Sequence, residues 1–352
     1  MKMRVNLEKD SYDIVIEKGI LDHALSSISS LFEGERIVII SDDNVYPLYG
    51  EKLKKQLSEK YTVGEIVIPH GEPSKQFDHL PELYSKLLAY HMTRTDLIIA
   101  LGGGVVGDLA GFVAATFLRG IKFIQIPTSL LAQVDSSVGG KVAVDVPEGK
   151  NLVGAFKHPL LVLIDPLTLK TLDPHFIKDG MGEVIKYGCI KDEAFFERMA
   201  NYENFDALYE DIDEIIYRCV DIKRDVVEKD LFDFGDRLCL NFGHTIGHAI
   251  EQHYHYEKYS HGEAVAIGMV AITRIAEERG LTKRGTAERI VEVLRHYDLP
   301  LKADVNTKEL LEAISHDKKN INKSFSFVLL KDIGDYFIHK DENTFILTSE
   351  VV

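Results

Sequence analysis

His244 and His248 stand four residues apart in Asn241-Phe242-Gly243-His244-Thr245-Ile246-Gly247-His248, and His261-Gly262-Glu263 follows. That spacing puts two imidazoles on one helix face, as metal sites of the H-x-x-x-H type do. Glu251, His253, His255 and Glu263 are further donors in the same stretch. Spacing alone leaves open which of these groups hold an ion and which move protons. His244 follows a largely apolar run, residues 238–242, so it is expected to be buried and to need a partner.

A second chemistry is written in Gly102-Gly103-Gly104-Val105-Val106-Gly107-Asp108, which follows the apolar run 97–101. Glycines let a chain approach a pyrophosphate, and the helix after them offers free N–H groups and a positive dipole end. The pattern is not G-x-G-x-x-G, and it follows a later strand rather than the first, so a plain tight turn is the competing reading. Asp42 closes an earlier strand and could accept ribose hydroxyls. Glu72 and Lys75 lie in the next loop, and Thr128 and Ser129 end another strand.

A third set is cationic. Lys141 follows Ser136-Ser137-Val138-Gly139-Gly140, Lys150-Asn151 precedes an apolar run, Lys186 stands three residues after Glu183, and Arg119 precedes Gly120. Cations in glycine-rich or apolar settings of a chain with net charge −15 point to a pocket for phosphate or carboxylate.

The elements that must position these groups change along the chain. Strand-like runs at residues 36–40, 65–68, 97–101, 122–126 and 161–164 alternate with helical patterns such as 80–90 and 105–118. That order predicts an α/β N-terminal domain with a mostly parallel sheet and ligands beyond the strand ends. From 176 to about 298 helical periodicity dominates, and residues 325–330 and 336–339 flank a turn, a late hairpin. The expected domains are 1–165, nucleotide-binding, and 166–352, mainly α-helical and metal- and substrate-binding.

The 352 residues are too many for one ordinary core. No apolar run reaches the roughly 18 residues of a membrane span, and the first residues lack the apolar centre of a signal peptide; a cytoplasmic protein is expected. Three widely spaced cysteines argue against a disulfide framework. The acidic balance disfavours nucleic acid and anionic membranes as partners.

The blocks LGGGVVGDLAGF (101–112), PTSLLAQVDSSVGGK (127–141), GKNLVGAF (149–156), GMGEVIKYG (180–188), LNFGHTIGHAIE (240–251) and HGEAVAIGM (261–269) closely resemble those of the 3-dehydroquinate synthases, sugar-phosphate cyclases of the shikimate pathway. The resemblance runs from about residue 36 to about 330. It implies an NAD-binding α/β domain, a helical domain and an active site between them. It also implies conversion of 3-deoxy-D-arabino-heptulosonate 7-phosphate to 3-dehydroquinate and phosphate, a lyase reaction with NAD recycled in each turnover. The metal is usually zinc, with cobalt as the alternative, and homodimers are common.

By position the resemblance assigns Glu183, His244 and His261 to the metal. It assigns Lys141, Lys186, Asp233, Arg237, Asn241 and His248 to catalysis, and Arg119, Asp135, Lys150, Asn151, Lys223 and Lys318 to the substrate. Asp42, Glu72, Lys75, Gly104, Val105, Val106, Gly107, Asp108, Thr128, Ser129, Thr168, Leu169, Lys170 and Thr171 would hold NAD, together with Lys141 and Lys150. Four positions depart from the common pattern: Asp233 stands for a glutamate, Asp236 for a leucine, Ser129 for a threonine and His158 for a glutamine. The rival readings are another sugar-phosphate cyclase, such as a 2-deoxy-scyllo-inosose synthase, and a metal-dependent alcohol or glycerol dehydrogenase. Residues 133–141 match the dehydroquinate branch better.

Overall fold

The computed structural model describes residues 1–233, 235–305 and 325–341; Lys318 lies outside them. The chain divides into two compact units, Met1–Asp173 with Ile212–Arg224, and Pro174–Asp211 with Asp225–Val352.

The first unit contains β1 (Lys2–Val5), β2 (Tyr12–Ile16), α1 (Ala24–Ser29), β3 (Arg36–Asp42), α2 (Glu51–Leu57), β4 (Thr62–Ile68), α3 (Leu80–Ala89), β5 (Leu97–Gly102), α4 (Gly104–Thr116), β6 (Lys122–Pro127), β7 (Lys141–Val146), β8 (Gly149–Phe156) and β9 (Leu161–Ile164). Seven strands form one sheet in the order β1-β2-β9-β6-β5-β3-β4. Only β1 and β2 pair antiparallel within it; the other neighbours are parallel.

The central strands are near-continuous apolar runs because both faces are covered. Alternation sorts their side chains. Val38, Ile40, Ile98 and Ala100 enter the core against α3 and α4, and Ile37, Ile39, Leu97, Ile99 and Leu101 enter the opposite core with Ile28, Leu53 and Leu57. Parallel register aligns the strand ends: Ser41 pairs with Leu101, and Gly102 with Pro127. Asp42, the glycine run and Thr128 therefore gather beyond one edge of the sheet.

The α4 helix begins at Gly104 and ends at Thr116, two residues short of the expected end, because Leu118 and Arg119 take positive φ, 50° and 69°. The strands β1 and β2 and the separate antiparallel β7–β8 hairpin were not expected.

In the second unit lie α5 (Pro174–Lys191), α6 (Glu193–Ala200), α7 (Phe205–Glu210), the end of α8 (Ile212–Lys229), α9 (His244–His253), α10 (His261–Glu278), α11 (Thr286–His296) and the hairpin β10 (Phe325–Asp332) with β11 (Asp335–Asp341). The expected late hairpin is present, antiparallel with Leu330 opposite Tyr336. Most residues of α10 are buried, and it packs against α5, α9 and α11. Among the described residues, no helix is long and apolar enough to cross a membrane.

Candidate active site

In the second unit three helices meet where glycine permits it. A Cβ on Gly262 would lie 1.8 Å from the carbonyl oxygen of Asp179, and one on Gly268 would lie 2.0 Å from that of Gly243. Gly243 itself sits at φ +79°, a left-handed turn that starts α9. These contacts bring α5, α9 and α10 together backbone to backbone, and each carries one donor into the gap.

Those donors are Glu183, His244 and His261, whose ligand atoms all lie within 4.8 Å of one another. His244 Nε2 is 3.5 Å and His261 Nε2 3.7 Å from Glu183 Oε1. Tetrahedral coordination with bonds near 2.1 Å sets donors about 3.4 Å apart, so the spacing fits a divalent ion.

The outer partners fix the same geometry. His244 Nδ1 donates to the carbonyl of Phe242 at 3.1 Å, and His261 Nδ1 faces Glu251 Oε1 at 3.4 Å. Each ring is thus left with Nε2 toward Glu183. Glu183 Oε2 accepts from Lys186, and both side chains are buried, so the lysine offsets the carboxylate's charge while Oε1 serves the histidines.

Burial, then the positive charges of Lys186, His261 and His248, hold His244 well below the ordinary imidazole range. Burial also lowers His261, but its hydrogen bond to Glu251 and the charges of Glu251, Glu183 and Asp179 outweigh that and raise it to about 9. An ion held at His261 would have to displace that proton.

His248 lies one turn on, its ring 5.4 Å from His244 and 5.9 Å from His261. It is exposed, and it forms a second donor group with Glu251 and His261. Of the acidic donors left open by spacing, Glu263 is taken by the helix start: its Oε2 accepts the Ser260 N–H at 2.9 Å. Arg237 is buried and donates to Leu231 O at 2.9 Å, while Asp230 Oδ2 accepts the N–H groups of Gly235 and Arg237. Asp233 sits on that loop at φ 67°. Asn241 ends the short turn Asp236–Asn241 before α9.

In the first unit the glycine run leads directly into α4. Gly103 precedes the helix with extended backbone. A Cβ on Gly102 would lie 2.7 Å from Val106, one on Gly103 3.5 Å from Ser129 Oγ, and one on Gly104 3.2 Å from Ser136 Oγ. None of these glycines has positive φ; they serve close approach. Thr128 N donates to Gly102 O at 3.0 Å.

Beside this run is a polar cluster. Buried Lys75 Nζ lies 3.2 Å from Asp108 Oδ2, 3.2 Å from Glu72 Oε1 and 2.7 Å from Asn151 Oδ1, and Lys150 Nζ lies 3.6 Å from Glu72 Oε1. These five residues are among those the resemblance assigns to NAD or substrate, and the fold assembles them. Asp135 and Lys223 also meet: Lys223 Nζ is 2.8 Å from both the backbone oxygen and Oδ1 of Asp135.

Other expected residues are held separately. Asp42 Oδ1 accepts the N–H groups of Asn44 and Val45, both at 2.9 Å. Thr168–Thr171 form the end of a 3-10 turn, with Leu169 buried and Lys170 exposed. Gln133 Nε2 donates to Thr168 Oγ1 at 2.9 Å, and Tyr49 bonds Thr171 Oγ1 at 2.5 Å. Lys141 is exposed at the start of β7, opposite Phe156. Arg119 is exposed at the kink after α4.

Three contributors were missed as such. Glu251, read as a possible ligand, faces His261 Nδ1; Gln133 and Asp145 carried no distinct signal. Asp145 is a buried carboxylate inside the apolar alternation of β7, and only that mismatch could have exposed it.

Comparison with known proteins gives a consistent likeness. Residues 65–179 match the family described as 3-dehydroquinate synthase N-terminal, and residues 180–320 match 3-dehydroquinate synthase C-terminal. The 3-dehydroquinate synthase of Clostridium perfringens (strain 13 / Type A) is 59% identical over 96% of this chain and 97% of its own. That of Enterococcus faecalis (strain ATCC 47077 / OG1RF) is 47% identical over 95% and 94%. Among solved structures, a 2-deoxy-scyllo-inosose synthase complexed with carbaglucose-6-phosphate, NAD+ and Co2+ superposes with TM-score 0.88 at 26% identity, covering 99% of this chain and 98% of its own. A glycerol dehydrogenase from Schizosaccharomyces pombe, TM-score 0.62 at 18% identity and covering 86% and 81%, shares the fold.

Proposed function

Because the chain belongs to the 3-dehydroquinate synthase family, we propose that it converts 3-deoxy-D-arabino-heptulosonate 7-phosphate to 3-dehydroquinate and phosphate, using NAD catalytically and a divalent ion, zinc or cobalt. The observation that carries the reading is the convergence of Glu183, His244 and His261 on one point. When bound, NAD supplies a reversible hydride acceptor and the ion a Lewis acid beside the reacting alcohol.

The chain's own groups do the rest. Glu183, His244 and His261 hold the ion, with Glu251 and the Phe242 carbonyl fixing the two rings. Lys186 keeps Glu183 in one orientation and adds positive charge for an anionic substrate. His248 is exposed one turn from His244, a position suited to moving a proton to or from substrate oxygen. Lys141, Lys150, Asn151, Arg119, Lys223 and Arg237 are the donors assigned to phosphate, carboxylate and hydroxyls, and Asp233 and Asn241 complete that set. Glu72, Lys75, Asp108, Thr128, Ser129 and the N–H groups at the start of α4 are assigned to NAD. Most of the work is positioning and charge stabilisation. A homodimer in the cytoplasm is part of the proposal.

The test is to incubate the protein with the heptulosonate phosphate, substoichiometric NAD and zinc. Phosphate and dehydroquinate without net NADH support the reading. Stoichiometric NADH replaces it with a dehydrogenase. No turnover, with NAD and metal bound, points to a sister cyclase with another sugar phosphate.

A further inference from the structure

The β7–β8 hairpin carries a carboxylate that none of these roles uses. Asp145 is 2% exposed. Opposite it the ladder breaks. Val144 pairs with Val153 and Val146 with Gly149, so residues 150–152 face Asp145 alone, a bulge on β8. The bulge holds Asn151 in the left-handed region at φ 56°, which a non-glycine residue keeps only when its surroundings hold it there.

The holding contact is visible: Asp145 Oδ1 accepts the Asn151 N–H at 2.8 Å. From there the contacts run in a ring. Asn151 Oδ1 accepts from Lys75, Lys75 meets Glu72, and Glu72 faces Lys150. Glu72 shares a hydrogen bond with Asp145. Burial raises the Asp145 carboxyl above its usual range, and Glu72 adds to this. Glu72, against the upward push of its own burial, is held low by Lys75 and Lys150. Of the two carboxyls, Asp145 is therefore the one that takes up a proton more readily.

We propose that Asp145 is a positioning residue that pins the β8 bulge, so that Lys150 and Asn151 are presented to the substrate in one geometry tied to Lys75 and Glu72. The substrate part rests on the proposed function; the pinning does not. Asp145 is not among the residues assigned to substrate or cofactor. It acts through the Asn151 backbone.

Two readouts test it. The first is hydrogen–deuterium exchange of the Asn151 amide in the full chain. Asp145→Ala should lose about tenfold in protection there, the scale of one lost hydrogen bond, while Asp145→Asn, which keeps the acceptor oxygen, restores it. The second is a KM-against-kcat split. Asp145→Ala should raise KM for the sugar phosphate about tenfold with kcat nearly constant, and Asp145→Asn should return KM toward that of the unmodified chain. Should Asp145→Ala not fold, Asp145→Glu, which displaces the oxygens by one methylene, is read in its place. Unchanged Asn151 exchange in the folded Ala or Glu variant overturns the inference. So does an equal loss in the Asn variant, or a fall in kcat with KM unmoved. If the unmodified chain does not turn over this sugar phosphate, the proposed function fails and the exchange experiment alone decides the role of Asp145.

Discussion

Gly262 and Asp179 are locked together: the Gly262 N–H donates to Asp179 Oδ1 at 2.6 Å, and a Cβ on Gly262 would lie 1.8 Å from the Asp179 carbonyl oxygen. The contact joins α5 to the first turn of α10, next to His261. Gly262→Ala must push the two helices apart, and overpacking of this kind costs about 3 kcal/mol or more. Urea denaturation and zinc stoichiometry of the variant would measure both effects. Unmodified stability with full metal binding would contradict the helix contact described.

Glu251 Oε1 faces His261 Nδ1 at 3.4 Å, the ring nitrogen opposite the one that faces Glu183. Glu251→Gln should weaken zinc affinity by about 10- to 100-fold, the usual range for such partners, with the fold intact. Competition against a chromogenic chelator reads this directly. An affinity equal to that of the unmodified chain would remove Glu251 from the site.

His244→Ala removes one of three donors. Metal binding and turnover should fall by at least about a thousandfold, while NAD affinity measured by calorimetry stays within about threefold, because the nucleotide residues belong to the other unit. Retained turnover would refute the metal assignment.

Asp108 sets a pH dependence. Burial raises its carboxyl to about 6, against the opposing pull of Lys75. A carboxyl whose folded value exceeds the ordinary value near 4 binds more protons in the folded chain, so it costs stability as pH rises from about 4 through 6. Asn cannot titrate. The stability of the unmodified chain relative to Asp108→Asn should therefore decline between pH 4.5 and about 7. Paired denaturation curves across that range check it; a flat or rising difference would show that Asp108 is not raised.

The cysteines should be silent. Cys189, Cys219 and Cys239 are buried thiols, and burial pushes the Cys189 thiol far above its ordinary value. A thiol reagent should label none of them in the native chain and all three after denaturation. Rapid native labelling would show that one of these sites opens.

Much was legible in the sequence, and for local reasons. The apolar runs of β3, β5, β6 and β9 declare strands buried on both faces. The order Gly103, Gly104, α4 is a strand-to-helix turn whatever surrounds it. Four-residue spacing puts His244 and His248 on one face in any helix. The long blocks around Gly104, Lys141, Glu183, His244 and His261 carried the family resemblance, and with it the expectation that Glu183, His244 and His261, whose donor atoms converge in the structure, act together.

Distances between segments were decided only in the tertiary structure. Spacing could not separate His244 from His248 or His253 as donors, because choosing among them depends on where Glu183 and His261 arrive, and close glycine contacts between three helices set that. Spacing left Glu263 open as a ligand until the start of α10 claimed its oxygen. Asp145 lay hidden because one carboxylate in a run of valines gives no periodic signal, and its partners Glu72 and Asn151 reach it from another loop and across a bulge. Local propensity is a property of neighbours in the chain; which carboxylate meets which nitrogen is a property of packing.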